Sequence, residues 1–343
     1  MQGISRRTFH RLLGAGACAT ACSGGSTLAL YNWGDYLAPE VLERFTAATG
    51  VRVTQDYYLA EAELVAKLAS GGAYDVVFPI DYVLERMRKQ ALVVPLARDK
   101  LPGLANLDPQ FGPWIAADNQ IYAVPYLWGT TGIGYDSDRV DPPKSWKALF
   151  DPQYAGKLSV IDSKGDVFDQ ALLAAGMDIN STDKPAIRER VYPLLRAQKD
   201  LLRAYDSNPA RALVSGETWI AQIDSGDLFR AQKQRPSLRY VIPDEGAVLW
   251  IDYLAIPATA PLPGVAVRFL EFLLDPEVAA INANALRFAT PNLAALQRGL
   301  VADAADPALY PSAETRKKLF VSENWFGQTE AVVDELWLEL RRA

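Results

Sequence analysis

The chain is nearly devoid of histidine and cysteine. Its 343 residues include one His and two Cys, and all three (His10, Cys18 and Cys22) lie within the first 22 positions. Once that segment is set aside as a leader, no imidazole remains and at most the thiol of Cys22. Ser-His-Asp and Cys-His catalysis are thereby excluded. So are nearly all zinc and copper sites, which draw on imidazole or thiolate, and an intrachain disulfide framework. Long apolar runs are missing as well: nothing after the leader approaches the ~18–20 apolar residues needed to span a bilayer as a helix. Carboxylate chemistry, hard-cation binding and plain recognition are left.

The first residues read as an export signal. Arg6, Arg7 and Arg11 form a basic n-region ahead of the short apolar stretch from Leu12 to Ala21. Ser5-Arg6-Arg7-Thr8-Phe9 has the form of a twin-arginine signal, and Ala19-Thr20-Ala21-Cys22 that of a lipoprotein box with Cys22 as the anchor. A single acyl chain holds a protein to a membrane only marginally. The whole chain carries 35 basic and 41 acidic residues. The leader holds three arginines and no acid, so the remainder stands at 32 against 41, or −9. That balance disfavours nucleic acid and favours cationic partners. The length implies two domains.

Strand and helix patterns alternate along the chain, which predicts an α/β fold. Strands are expected at Leu28 to Tyr31, Val51 to Tyr58, Tyr74 to Pro79, Ile121 to Tyr126, Thr131 to Tyr135, Leu158 to Ile161, Trp219 to Ile223, Leu238 to Ile242 and Ala247 to Pro257. Helices are expected from Pro39 to Thr49, with Pro at the first turn and Gly50 as the stop. Others are expected from Glu61 to Ser70, Asp81 to Gln90, Val265 to Leu274 and Thr329 to Arg342, and from the end of Leu158–Ile161 through Gly176.

Acids and aromatics gather just past the strand ends. Trp33, Asp35 and Tyr36 follow the first strand, Asp81 and Tyr82 the third, Asp166 the Leu158 strand, and Asp224 and Asp227 the Trp219 strand. In open α/β sheets ligands bind beyond the carboxyl ends of strands, so one composite site is expected. Trp250 and Asp252 lie two apart in a strand and share a face. Asp252 interrupts an apolar run with no basic neighbour, and a buried carboxylate needs a partner. Structural roles compete. Asp81 reads as a helix N-cap, Asp35 as a more distant one, and Asp166 as either ligand or part of a capping box with Ser163. Tyr36, Tyr82 and Phe288 read equally as core.

From Leu28 onward the chain resembles the periplasmic spermidine/putrescine-binding proteins, the receptors of polyamine ABC importers. The resemblance rests on Tyr31-Asn32-Trp33-Gly34-Asp35-Tyr36, Gly72-Ala73-Tyr74-Asp75-Val76-Val77, Ile121 to Gly129 (IYAVPYLWG), Trp250-Ile251-Asp252 with Leu254-Ala255-Ile256-Pro257, and Thr290-Pro291-Asn292-Leu293-Ala294, in that order. It implies a two-lobed periplasmic binding protein of type II, with the ligand in a cleft between lobes joined by crossing strands. It further implies a leader over 1–22, a tether over 23–27, one lobe from 28–131 plus 253–301 and another from 132–252 plus 302–343. Trp33 and Tyr36 would line one side of the cleft with Asp35 nearby, and Tyr82 would be an aromatic contact. Asp166 would meet an amine, Trp250 would stack on the ligand chain, Asp252 would hold an ammonium and Phe288 would form wall. Gly34 and Ile80 stand where the family has small hydroxyl residues, Ser163 where spermidine binders have an acid, and Asp224 where a cleft tryptophan is usual. Asp227 matches an acid of putrescine-type relatives, and Glu323 aligns weakly with a family glutamine. The expected partners are a polyamine and a membrane permease, with no cofactor, metal or catalytic residue. A sugar receptor of the same architecture, or a hydrolase using Asp224 and Asp252 as paired acids, remains an alternative.

Overall fold

The computed structural model describes residues 26–323, Trp325 and residues 327–342; the leader and Cys22 lie outside them. Eleven strands are described: β1 (Thr27–Asn32), β2 (Arg52–Tyr57), β3 (Val76–Val77), β4 (Trp114–Ile115), β5 (Ile121–Asp136), β6 (Leu158–Ile161), β7 (Leu202–Asp206), β8 (Ile220–Asp224), β9 (Leu238–Val241), β10 (Ala247–Ala255) and β11 (Leu319–Phe320). They are ordered β2-β1-β3-β10-β5-β8-β6-β7, with β4 and β9 on β5 and β11 on β10. The architecture is α/β, with two halves that meet at β5 and β10.

Those two long antiparallel strands cross from one half to the other. β10 pairs with β5 from Val248 opposite Thr131 to Ala255 opposite Ala123. Beyond Thr131, β5 turns to β8 and β9, while the other end of β10 reaches β3. The sequence pattern divides β5 into two strands around Gly129, but the chain runs through as one. Gly129 fits mid-strand because the Trp250 ring lies flat over it. A Cβ there would come within 2.4 Å of that ring. The register of the pair slips between Asp252 and Tyr253, opposite the segment Pro125–Leu127. Pro125 has no N–H for the ladder, and proline within a sheet is confined to edges and bulges. The Tyr253 N–H goes instead to the Pro79 carbonyl at 2.8 Å. Asp252 therefore sits on an irregularity of the kind that re-aims side chains beside functional sites.

Each half buries both faces of its sheet. In the first, Leu28, Leu30, Phe45 and Phe269 pack on one face, and Tyr58, Leu64, Leu84 and Met87 on the other. In the second, Leu158, Phe168, Leu195 and Val333 oppose Leu213, Ile223 and Leu228. The helix Pro39–Thr49 starts on Pro39 and ends on Gly50 at φ 71°, as its sequence predicts. The C-terminal helix Gly327–Arg342 packs Val333, Leu336 and Leu340 into the second half. Leu309 and Tyr310 pack with the first, Tyr310 lying edge-on to Trp128. No helix among the described residues is long and apolar enough to cross a membrane.

Gly129→Ala should lower stability by about 1–3 kcal/mol, the range for overpacking a filled core, because the Trp250 ring must move. Urea denaturation checks this; an unchanged midpoint would contradict the packing of Trp250 on β5.

Candidate functional site

The crossing strands present Trp250 and Asp252 on one face, and other elements converge on them. Asp252 is only 6% exposed. Its carboxylate accepts a 2.5 Å hydrogen bond from the Tyr36 hydroxyl, and Tyr36 is held in turn by the Tyr126 hydroxyl, which donates to the Tyr36 carbonyl at 2.8 Å. Burial pushes the Asp252 carboxyl up to about 7, with the Tyr36 bond pulling in the other direction. Burial and the Asp252 charge together raise the Tyr36 hydroxyl well above its ordinary value, so it remains a donor.

Asp224, the last residue of β8, approaches from the second half. Its Oδ1 accepts from the Thr131 hydroxyl at 2.6 Å and from the Trp250 indole N–H at 3.1 Å. Burial, then the charges of Asp227 and Asp166, raise its carboxyl to about 8. Phe288 closes the group, edge-on to both Tyr36 and Trp250 with ring centroids 5.6 and 5.3 Å apart. Gly226 makes room for it, since a Cβ there would fall 2.1 Å from the Phe288 ring. Tyr36, Asp224, Trp250, Asp252 and Phe288 thus form one contiguous cluster drawn from both halves and the crossing strands.

Four further candidates stand around it. Trp33 packs on Tyr58 at 4.4 Å between centroids. Tyr82 feels Glu61, Asp166, Asp81 and Asp252, all of which, after burial, raise its hydroxyl. Asp166 occupies the first turn of the helix Lys164–Ala174. Its backbone N–H donates to the Ser163 hydroxyl as the capping pattern predicts, while its carboxyl is raised by burial. Asp227 forms an ion pair with Arg230. Arg230 also donates to the Leu286 carbonyl at 2.6 Å and lies 4.7 Å from the Phe288 ring centroid. Asp227 therefore has its counter-charge within its own helix. Asp35 is apart from the rest: it is exposed, at φ 53°, and enters no hydrogen bond among the described residues. Glu323 is likewise exposed, its N–H bonded to Asn180.

Asp81 is not the N-cap that its sequence position predicts. Ile80 takes that place, and Asp81 is the first residue of the helix Asp81–Lys89. Its Oδ1 accepts from the neighbouring Tyr82 N–H at 2.7 Å, while its Oδ2 is buried with no hydrogen-bond partner. The Ile80–Asp252 bridge draws the start of this helix onto β10, and burial with the Asp252 charge raises the Asp81 carboxyl to about 8. The sequence places Asp81 past a strand end, as it does the other site acids; the equal fitness of aspartate as a cap hid it.

Asp81, Asp166, Asp224 and Asp252 all have raised carboxyls, and no cationic side chain contributes to any of the four. Asp252 is buried and the other three are half-buried, and desolvation shifts each toward its protonated form. Groups raised in the folded state add stability below their unfolded value near 4 and lose it as pH rises through their folded values. The unliganded protein should therefore melt at a lower temperature at pH 8.5 than at pH 6. Asp252→Asn should flatten that slope. A melting temperature that is flat or rises over this interval would contradict the burial of unpaired acids.

The sequence matches the family profile described as bacterial extracellular solute-binding protein over residues 40–311. It is 36% identical over 346 residues to the spermidine/putrescine-binding periplasmic protein of Salmonella typhimurium, covering 98% of this chain and 99% of that one. It is 32% identical over 351 residues to the putrescine-binding periplasmic protein PotF of Escherichia coli K12, covering 94% and 93%. Among solved structures it is similar to the spermidine/putrescine ABC transporter substrate-binding protein PotD of Streptococcus pneumoniae, with a TM-score of 0.82, 30% identity and coverage of 93% and 99%. With its two halves, its crossing strands and a site gathered where they meet, the chain belongs to the bacterial extracellular solute-binding proteins.

Proposed function

We propose that this protein is an extracytoplasmic receptor that captures polyamines, putrescine or spermidine or both, and delivers them to the permease of an ABC importer. The observation that carries the reading is Asp252: a carboxylate 6% exposed on an apolar strand, with a tyrosine hydroxyl as its partner and no cation beside it. A polyamine is a row of ammoniums joined by methylenes. Its charges suit carboxylates through charge-assisted hydrogen bonds, and its chain suits the faces of Trp250, Phe288 and Trp33, each cation–π contact being worth roughly 0.5–2 kcal/mol. A neutral sugar would leave the acids unpaired.

In this reading Asp252 and Asp224 hold ammoniums from the two sides, Asp166 and Tyr82 serve the far end, and Trp250, Tyr36 and Phe288 form the wall. Asp227 supports that wall through Arg230. Trp33 and Asp35 border the opening. The lobes would be 28–131 with 253–310 and 132–252 with 311–343, the second return falling after Tyr310 because Leu309 and Tyr310 belong to the first core. Export by the leader and lipid anchoring at Cys22 complete the proposal; no turnover is part of it. Closure follows from the ligand bridging acids of both lobes, since a ligand can shift the open–closed equilibrium only by its differential affinity for the two states.

A thermal-shift panel of putrescine, spermidine, spermine, agmatine and simple sugars tests the proposal, because a ligand of the native state must raise its melting temperature. Polyamines should raise it and sugars should not. Asp252→Asn should weaken polyamine binding at least tenfold by calorimetry. A shift with sugars alone, or unchanged affinity in Asp252→Asn, would sink the assignment.

A further inference from the structure

Behind Asp252 lies a second group of acids that the site so far leaves unused. Asp81 and Glu61 each open a helix, Asp81–Lys89 and Glu61–Ala69. Glu61 is 8% exposed. Its Oε1 accepts the Ile80 N–H at 3.0 Å, and its Oε2 is buried without a partner. The Oδ2 of Asp81 is also buried outside hydrogen-bonding geometry, with the Ile251 N–H of β10 the one further donor acting on that carboxyl. Ile80, held by Glu61 on one side, is bridged on the other to Asp252. The three carboxyls therefore surround one backbone junction: the Asp252 charge raises both Asp81 and Glu61, and the Asp81 charge raises Glu61.

Ordinary structural explanations fail for this group. Two other buried acids of the fold are given donors, although Asp169, on the helix Lys164–Ala174, keeps an unpartnered Oδ1. Asp75 accepts from the Ala29 and Leu262 N–H groups at 2.9 and 2.6 Å. Asp136 takes Arg235 at 2.5 Å and Arg139 at 3.3 Å. Here two oxygens are left over, and a buried acceptor without a donor is destabilising unless something pairs with it. The basic residues of the Asp81–Lys89 helix are in its last turn, with Arg88 and Lys89 paired to Glu85. No group of acids among the described residues is disposed to hold a metal ion. An organic cation reaching past Asp252 is the remaining counter-charge of suitable size.

We infer that Asp81 is a further cation-binding carboxylate of the cleft, taking an ammonium of its own beside the one at Asp252 and so favouring polyamines with three or more charges over diamines. This rests on the polyamine reading above and adds to it a specificity residue. A diamine saturates Asp252 and one acid of the opposite lobe. A triamine has one charge more, and Asp81, joined to Asp252 through the Ile80 bridge, offers a further carboxyl to receive it. The titratable groups facing Asp81 are Glu61, Tyr82, Asp252 and Tyr253, all acidic or neutral, and the backbone N–H groups of Tyr82 and Ile251 alone favour its ionised form, so full ionisation in the bound state depends on the ligand.

The test compares dissociation constants for putrescine and spermidine by calorimetry at pH 6.5, 7.5 and 8.5, in the wild type, Asp81→Asn and Asp81→Ser. Both variants should fold, with melting temperatures at or above wild type at pH 8.5, because each removes a buried carboxyl. Both should weaken spermidine tenfold or more and putrescine less than threefold, and both should flatten the pH dependence of spermidine binding. Equal losses for the two ligands, or an unaltered ratio, would overturn the assignment of Asp81 while leaving the polyamine receptor intact. Unfolding of both variants would make Asp81 structural and overturn it as well. Failure of the wild type to bind any polyamine would overturn the parent reading and this one together.

Discussion

Buried negative charge without a positive partner is the constraint on which the rest of this structure turns. Moving an ion out of water costs several kcal/mol even after relaxation. The fold nevertheless places Asp252, Asp224, Asp166 and Asp81 where burial is the largest influence on each. Without a cation, the inexpensive solution is a proton. With one, the carboxylates can ionise, and the desolvation already built into the folded protein makes their attraction for the incoming charge stronger than it would be in water. The protein is thus arranged around a charge that it does not itself contain.

The contrast with other acids of the same chain gives this argument its force. Asp136 is fully buried and paired with two arginines. Asp75 is nearly so and satisfied by two backbone N–H groups. Asp227 is matched by Arg230 one helical turn away. Evidently this sequence can neutralise an acid where the fold alone requires it. The site acids lack that provision, as do Glu61 and Asp169 beside them, and they come from both halves and from the strands between them. In the proposed reading, a ligand that neutralises all of them must touch both halves, so recognition and closure would be one event. The aromatic group of Tyr36, Trp250 and Phe288 is fixed independently, by glycines at 129 and 226 that let the rings approach backbone and by the Tyr126 hydroxyl behind Tyr36. Its shape does not wait for the ligand.

Much of this was legible in the sequence, because it followed from local rules. The periodicities at Pro39–Thr49 and Leu158–Ile161 gave element and boundary together. Asp252 stood out as the one charge in an apolar strand, and its two-residue spacing from Trp250 put both on one face. Other features depended on tertiary relations that no local pattern carries. The continuity of β5 through Gly129 requires knowing that Trp250 covers it. The left-over oxygen of Asp81 requires knowing that Ile80, bridged to β10, takes the cap position. Glu61 offered no signal at all, its partner being an N–H nineteen residues away. The pairing of Asp227 with Arg230 was, by contrast, available from their three-residue spacing. It gives Asp227 a counter-charge that the other candidate acids lack.

If the acids of the cleft hold protons until a cation replaces them, binding must release protons into the buffer. Calorimetry of spermidine binding at pH 7.5, in phosphate and in Tris, measures this directly. The account predicts a more exothermic apparent enthalpy in Tris, whose protonation gives off more heat, and hence a net release from the protein. Equal enthalpies in the two buffers, or a less exothermic one in Tris, would contradict it.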